Sequence, residues 1–268
     1  MRPRPIQGKR ALVTGASGGL GAEFARELAR RGAALIIVAR SDEALQTLAR
    51  ELRASHGIQV EVLTADLSLA TAAQDLYDRV SAEGWEVDIL VNNAGLGLYG
   101  RNDTIPWYKE QSMLQIDVVT VAGLTKLFLP QMLERRFGYV LNVSSLMGYQ
   151  PMPLYATYAA AKTFVQFYSE ALKWELRGTG VSVTVVAPGI TSTDFLKVSG
   201  QQATAYQRVV MMRSPDVAYS AIGAMLAGRT SVVPGMVNTV TAWFGRFAPR
   251  AVAVPVAELL MKSNEPQH

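Results

Sequence analysis

The sequence predicts a doubly wound α/β fold, a parallel sheet with helices on both of its faces. Two observations predict it. Six short apolar, β-branched runs recur along the chain: 11–14, 34–39, 60–65, 87–92, 139–144 and 181–187. They read as continuously apolar rather than alternating, as strands buried on both faces do. Between them lie longer stretches of helical period rich in Ala, Leu, Glu and Arg, which suit crossover helices between parallel strands. No internal repeat or low-complexity linker interrupts the series. We therefore expect a single doubly wound domain over residues 1–228. Residues 229–268 are expected to form a C-terminal helical extension packed on that domain.

In a sheet of this kind ligands bind beyond the carboxyl ends of the strands, near the point where the strand order reverses. The residues just after each apolar run are therefore informative. The first run is followed by TGASGGLG (14–21) and then by the helical pattern AEFARELARR. Gly15, Gly19 and Gly21, with Gly18 as an extra, permit a tight turn and a close backbone approach to a pyrophosphate at the helix N-terminus. The same glycines also suit an ordinary strand–helix turn. The second run ends at Arg40, with acids only at Asp42 and Glu43. An arginine at this place suits a ribose 2′-phosphate and an acid a 2′-hydroxyl, so NADP(H) is expected over NAD(H). A surface arginine opening the next helix is the alternative.

The third run ends in TADLS, where Asp66 either accepts a hydrogen bond from an adenine amino group or caps a helix beginning near Ser68. The fourth ends in NNAG, where Asn92 and Asn93 bring amides to the sheet edge and Ala94–Gly95 leave room for a ribose. The fifth ends in NVSS and is followed by a helix carrying YATYAAAK (155–162). The sixth ends in APGITSTDF, where Pro188–Gly189 stop the strand and Thr191, Ser192 and Thr193 offer hydroxyls to a carboxamide or to a helix end.

Composition narrows the chemistry. At 268 residues with 49% hydrophobic content the chain can bury a substantial core. It has no cysteine, so it has no disulfide framework, thiolate metal site or cysteine nucleophile. His56 and His268 lie far apart, which disfavours a zinc site and a serine–histidine hydrolase; no metal is expected. The formal charge of +4 is spread over single and paired positions such as Arg30–Arg31 and Arg135–Arg136. No basic stripe with interleaved aromatics suggests nucleic acid. The first ten residues lack the apolar region of a signal peptide. No run reaches the ~18 uninterrupted apolar residues of a membrane span, the nearest being 230–245. A soluble, cytoplasmic protein is expected.

TGxxxGxG, NNAG, a serine 13 positions before the tyrosine of YxxxK, and PGxxxT occur in order at plausible strand ends. Together they make the chain resemble the short-chain dehydrogenase/reductase family in its compact, Rossmann-type form, over roughly residues 8–228. Among its members the chain looks most like bacterial NADP-linked oxidoreductases of broad substrate range. By position, the resemblance implies that Tyr158 is the general acid, that Ser145 hydrogen-bonds the substrate oxygen, and that Lys162 binds the nicotinamide ribose and lowers the tyrosine pKa. Gly15, Ser17, Gly18, Gly19, Leu20 and Gly21 would line the pyrophosphate. Arg40 would meet the 2′-phosphate, Asp66 and Leu67 the adenine, and Asn93, Ala94 and Gly95 the adenosine side or ribose. Pro188, Gly189 and Ile190 would flank the cofactor, with Thr193 at its carboxamide.

The spacing independently separates the two tyrosines. Tyr158 and Lys162 are one helical turn apart, about 6 Å of rise. Tyr155 lies two turns from the lysine, so direct pairing is strained. A cation near a phenol moves its pKa of ~10 toward neutrality. One position departs from the family: Asp117 stands where an asparagine is usual, in LQIDVVTVAGLTKLFLP. A buried carboxylate there would be protonated or act in the proton relay, or the change is a tolerated variant.

Leu96, Met147, Tyr149, Tyr155 and Phe195 are expected to wall an apolar substrate pocket for an uncharged or lipophilic ketone, aldehyde or secondary alcohol. The segment 229–268 would cover the cleft, pack between subunits or touch a membrane surface. A homodimer or homotetramer is expected by analogy, through the helices near 105–136 and 155–177. A non-catalytic dinucleotide-binding regulator and an NAD-linked alcohol dehydrogenase are the alternative functions.

Overall fold

The computed structural model describes residues 6–192, 195, 199–201 and 211–261. Its centre is one parallel sheet of seven strands in the order β3-β2-β1-β4-β5-β6-β7. The strands are β1 (Arg10–Thr14), β2 (Ala34–Ala39), β3 (Val60–Thr64), β4 (Ile89–Asn92), β5 (Gly138–Val143), β6 (Val181–Val186) and β7 (Ser231–Val232). The order reverses between β1 and β4, which places the switch point between the TGASGGLG and NNAG segments.

The inner strands are largely apolar because they bury both faces, whereas the edge strands β3 and β7 are only partly buried. On one side lie α1 (Gly19–Arg30), α2 (Asp42–His56) and α7 (Ser214–Leu226); Phe24, Leu28, Leu45, Leu52, Ile222 and Met225 fill the layer beneath them. On the other lie α3 (Ala72–Ala82), α5 (Val121–Glu134) and α6 (Ala156–Glu175), packed through Leu76, Leu124, Phe128, Met132 and Leu176. Local chemistry sets the helix ends. In α2 the Ser41 side chain accepts from the Ala44 N–H at 3.4 Å, Asp42 and Glu43 sit in the first turn, and Gly57 ends the helix in the left-handed region.

The helix before β5 is interrupted. α4 (Trp107–Leu114) runs into a π-helical stretch, Gln115–Thr120, before α5 begins, and Asp117 sits in that stretch. Among the described residues, this Trp107–Glu134 run is the one helix long and apolar enough to cross a membrane, and 44% of its apolar window is buried. It packs on α3, β4 and β5 as a core helix of the sheet's flank. The most span-like segment is therefore this run and not 230–245, which holds β7 and the start of α8 (Met236–Phe247). β7 is an edge strand of two residues, too short to register as an apolar run. It ties the segment expected to be purely helical into the sheet through Val185–Ser231 and Val186–Val232. A last helix, α9 (Arg250–Met261), follows α8.

Candidate active site

The loops after β1 and β4 meet at the switch point, and two glycines make that contact possible. Gly15 has φ +68, and a Cβ there would lie 2.8 Å from Asn93 Nδ2 and 2.9 Å from Ala94 Cα. A Cβ on Gly21 would lie 2.0 Å from the Gly15 carbonyl oxygen. Gly18 differs: its backbone is extended and a Cβ would meet nothing within 4 Å. The α1 N-terminus has no side-chain cap and no acid in its first turn, so its N–H groups face the cleft unpaired by side chains. This cradle of bare backbone fits a pyrophosphate.

Asn93 holds the cradle together. Its side chain donates to the Thr14 carbonyl at 2.9 Å and the Gly15 carbonyl at 3.3 Å. Thr14 Oγ1 in turn accepts from the Asn93 and Ala94 backbone N–H groups, each at 3.0 Å. The Asn93 amide donors expected to meet a ribose are thus spent on the β1 loop. Further along the sheet edge, Arg40 and Ser41 follow β2, while Asp42 and Glu43 already belong to the first turn of α2. Asp66 neither caps α3, which starts at Ala72, nor stands free: its Oδ1 accepts from Ser68 N at 3.0 Å and Ser68 Oγ at 2.7 Å. Those bonds, with the Arg40 charge nearby, hold its carboxyl below the usual range.

At the other end, β5 and α6 bring Ser145, Tyr158 and Lys162 together. Lys162 is buried; its Nζ donates to the Val143 carbonyl at 3.2 Å and lies 3.6 Å from Asp117 Oδ2. It also stands 5.6 Å from the centre of the Tyr158 ring. Asp117 is fully buried. Its Oδ1 accepts from the Leu96 N–H at 3.0 Å, and Oδ2 has no hydrogen-bond partner. Burial pushes the Asp117 carboxyl up to about 6 against the pull of Lys162. A Cβ on Gly95 would stand 2.7 Å from Asp117 Oδ1 and 3.2 Å from Lys162 Nζ, so the NNAG turn reaches this pair only because residue 95 has no side chain.

The balance at Tyr158 runs opposite to the sequence expectation. Burial raises its pKa above the ordinary phenol value, and the Asp117 charge raises it further; the Ser145 hydroxyl pulls it down. Asp117, 3.6 Å from Lys162, opposes the Lys162 field that the YxxxK spacing promises. Tyr158 therefore holds its proton firmly.

One cavity of about 610 Å³ joins the two ends. Of the predicted residues it is lined by Gly15, Ser17, Gly18, Gly19, Leu20, Arg40, Asp66, Leu67, Asn93, Ala94, Gly95, Ser145, Tyr158, Lys162, Pro188, Gly189 and Ile190, and by Leu96, Met147, Tyr149 and Phe195 at the substrate end. Gly21 and Asp117 support the lining from behind. Tyr155 does not line the cavity. It is buried behind Tyr158, their ring centres 5.9 Å apart, and donates to Gln201 Oε1 at 2.7 Å. Of the two roles open to it, packing is the one observed. Thr193 lies outside the described residues.

Covering the cleft was one of the roles expected of segment 229–268, and α8 and α9 do so through residues that sequence reading had not singled out: Asn238, Thr241, Gly245 and Ala257. Asn238 stands so close to Gly189 that a Cβ on that glycine would be 2.5 Å from its amide nitrogen. Its amide donates to the Pro234 carbonyl at 3.0 Å, which anchors the helix over the cleft. The polar Asn238 and Thr241 within the apolar period of residues 236–247 were the available signal.

A family model described as short chain dehydrogenase matches residues 9–204. The chain is 37% identical over 202 residues to the very-long-chain 3-oxoacyl-CoA reductase of Anas platyrhynchos, covering 73% of this chain and 64% of that protein. It is 34% identical over 201 residues to the 17-beta-hydroxysteroid dehydrogenase type 3 of Mus musculus, covering 74% and 65%. The chain thus spans just under two-thirds of the length of these vertebrate relatives. An uncharacterised oxidoreductase of Myxococcus xanthus is 38% identical over 184 residues, or 69% of this chain and 72% of that one. Among solved structures, a short-chain dehydrogenase from Sphingobium yanoikuyae in complex with NADPH superposes with a TM-score of 0.80 at 28% identity, covering 88% and 92% of the two chains. A 7beta-hydroxysteroid dehydrogenase superposes with a TM-score of 0.85 at 26% identity, covering 96% and 99%.

Proposed function

Starting from a chain that belongs to the short-chain dehydrogenase family of oxidoreductases, we propose an NADP(H)-dependent reductase of uncharged, lipophilic ketones or aldehydes, reversible from the corresponding alcohols, secondary ones in the case of ketones. The observation that carries this reading is the single cavity that runs from the Gly15–Gly21 cradle to Ser145, Tyr158 and Lys162. Bound along it, a nicotinamide dinucleotide supplies or accepts the hydride. Arg40 and Ser41 suit a 2′-phosphate at the end of β2, the cradle suits the pyrophosphate, and Lys162 suits the nicotinamide ribose hydroxyls.

The protein's own chemistry is then proton handling. Ser145 donates a hydrogen bond to the carbonyl oxygen and Tyr158 gives that oxygen its proton, so negative charge does not build up there. Burial and Asp117 keep the phenol protonated but make it a weaker acid, so the phenolate's charge must be offset as the proton leaves. Lys162 stabilises the phenolate left behind, and the Asp117–Lys162 pair lies where the next proton must arrive. The substrate end is mainly apolar: Leu96, Met147, Met152, Phe195 and Ala257 line it beside Tyr149, Asn238 and Thr241, and among the described residues Lys162 is the one cation there. This lining and the named activities of the relatives support a steroid-sized or long acyl ketone.

The exposed Trp107, Tyr108 and Val119 before α5, with Phe164, Phe167 and Trp174 on α6, support pairing between copies through these helices. NADPH consumption measured with a panel of lipophilic ketones tests the activity. Tyr158→Phe should lower kcat by roughly a thousandfold or more while NADPH still binds. Full turnover in that variant removes Tyr158 from the mechanism. NADPH binding without turnover of any ketone by the native chain would instead favour a dinucleotide-binding regulator.

A further inference from the structure

The helices that close the cleft have a second face. α8 turns Asn238, Thr241 and Gly245 toward the cavity and presents Met236, Val240, Trp243, Phe244 and Phe247 to solvent. Met236 is 84% exposed, Phe247 65% and Trp243 60%, values that a helix packed on its own domain has no reason to keep. α9 repeats the pattern, with Ala257 turned inward and Val252, Val256 and Leu259 outward. The aromatics form one cluster: the Trp243 ring lies 5.5 Å from Phe244 and 5.0 Å from Phe247. Contiguous exposed apolar surface of this kind marks an interaction site.

Charge decides between occupants. From Met236 to Met261 the charged residues are Arg246, Arg250 and Glu258, all exposed. Neither arginine has an ion-pair partner among the described residues. A second copy set against this face about a two-fold axis would oppose the same residues, two cations and one anion from each copy. That arrangement buries an uncompensated positive excess inside an apolar contact. An anionic lipid surface matches the face on both counts. Its headgroup phosphates pair with the arginines, while tryptophan and phenylalanine rings settle at the boundary between headgroups and acyl chains. The apolar surface suited to pairing between copies lies elsewhere, on α4–α6.

We propose that the outer face of α8 and α9 docks on the surface of an anionic lipid bilayer, which seats the wall of the cleft at the lipid boundary. Docking does not rest on the reaction proposed above, and it reads out without turnover. The test is flotation of the full chain with vesicles of phosphatidylcholine containing about 30 mol% phosphatidylglycerol, compared with pure phosphatidylcholine. The native protein should float with the anionic vesicles. Arg246→Gln and Arg250→Gln should each weaken partitioning by roughly fivefold. A Trp243→Ser, Phe244→Ser, Phe247→Ser variant should weaken it by roughly tenfold or more, with its thermal unfolding kept as the control for fold. Failure of the native chain to float, or undiminished flotation of the triple variant, overturns the proposal. So does a native assembly that the triple substitution dissociates in sedimentation velocity without any vesicle binding, since a second copy would then own the face.

Discussion

Replacing Asp117 by asparagine tests how this site holds the Tyr158 proton. The Lys162 ammonium lies 3.6 Å from Asp117 Oδ2 and 5.6 Å from the Tyr158 ring centre. The carboxylate opposes the ammonium's field at the phenol and adds its own repulsion of a phenolate. Asparagine keeps an acceptor for the Leu96 N–H and removes the charge. At an effective dielectric of ~20, an uncompensated cation at this distance favours the phenolate by about 3 kcal/mol, or roughly two pH units as an upper bound. The tyrosine limb of kcat/KM for alcohol oxidation should therefore move down by about one to two pH units. Ketone reduction at neutral pH should change by less than about tenfold.

The same substitution carries a signature in stability. Asp117 titrates at about 6 in the folded chain against an ordinary 3.8, so between those values the folded state binds more protons than the unfolded one. Stability contributed by the protonated group is fully present below pH ~4 and is lost as pH rises through ~6, by about 3 kcal/mol. The asparagine variant should lack this slope. Urea midpoints at both ends of the window, together with kcat/KM profiles in both directions, decide the matter. An unmoved tyrosine limb refutes the field argument. A loss beyond roughly a hundredfold in both directions, with NADPH still bound, makes the carboxylate itself a reactant.

Four further substitutions probe other parts of the site. Gly21→Ala sets a methyl 2.0 Å from the Gly15 carbonyl oxygen, and NADPH affinity by fluorescence titration should fall by roughly ten- to a hundredfold. Gly18→Ala should stay within about twofold, and equal losses would mean that the glycines act through flexibility rather than close approach. Arg40→Ala should raise KM for NADPH by roughly ten- to a hundredfold and leave NADH nearly unchanged; an equal loss for both would detach Arg40 from a 2′-phosphate. Tyr155→Phe removes the buried donor to Gln201 and should cost about 1–3 kcal/mol in denaturant unfolding with kcat within about threefold. A kinetic loss as large as that of Tyr158→Phe would reopen the choice between the two tyrosines.

The strand ends were legible in the sequence because each feature there is local. Glycines at a strand–helix junction, an arginine after β2 and the one-turn spacing of Tyr158 and Lys162 act through neighbours a few positions away. What escaped depends on distant partners. Nothing near Tyr158 tells that Asp117, some forty positions earlier, meets Lys162 at 3.6 Å and offsets it. Nor does the NNAG motif tell that the Asn93 amide is consumed by Thr14 and Gly15. β7 was missed because two residues carry no period, and the helix expected near Ser68 begins only at Ala72 because Ser68 belongs to a turn closed on Asp66.

This division has a functional consequence. The cofactor half of the cavity is built from strand-end motifs whose geometry is nearly self-contained. The substrate half is closed by α8 and α9 through close approaches between distant residues, Asn238 on Gly189 and Gly245 beside Gln150. Bulk at those contacts would tilt α8 without touching the cradle. On the function proposed above, the C-terminal helices shape the substrate end of the cavity while the strand ends shape its other half. Any force acting on their outer face, a bilayer included, acts on the shape of the substrate end.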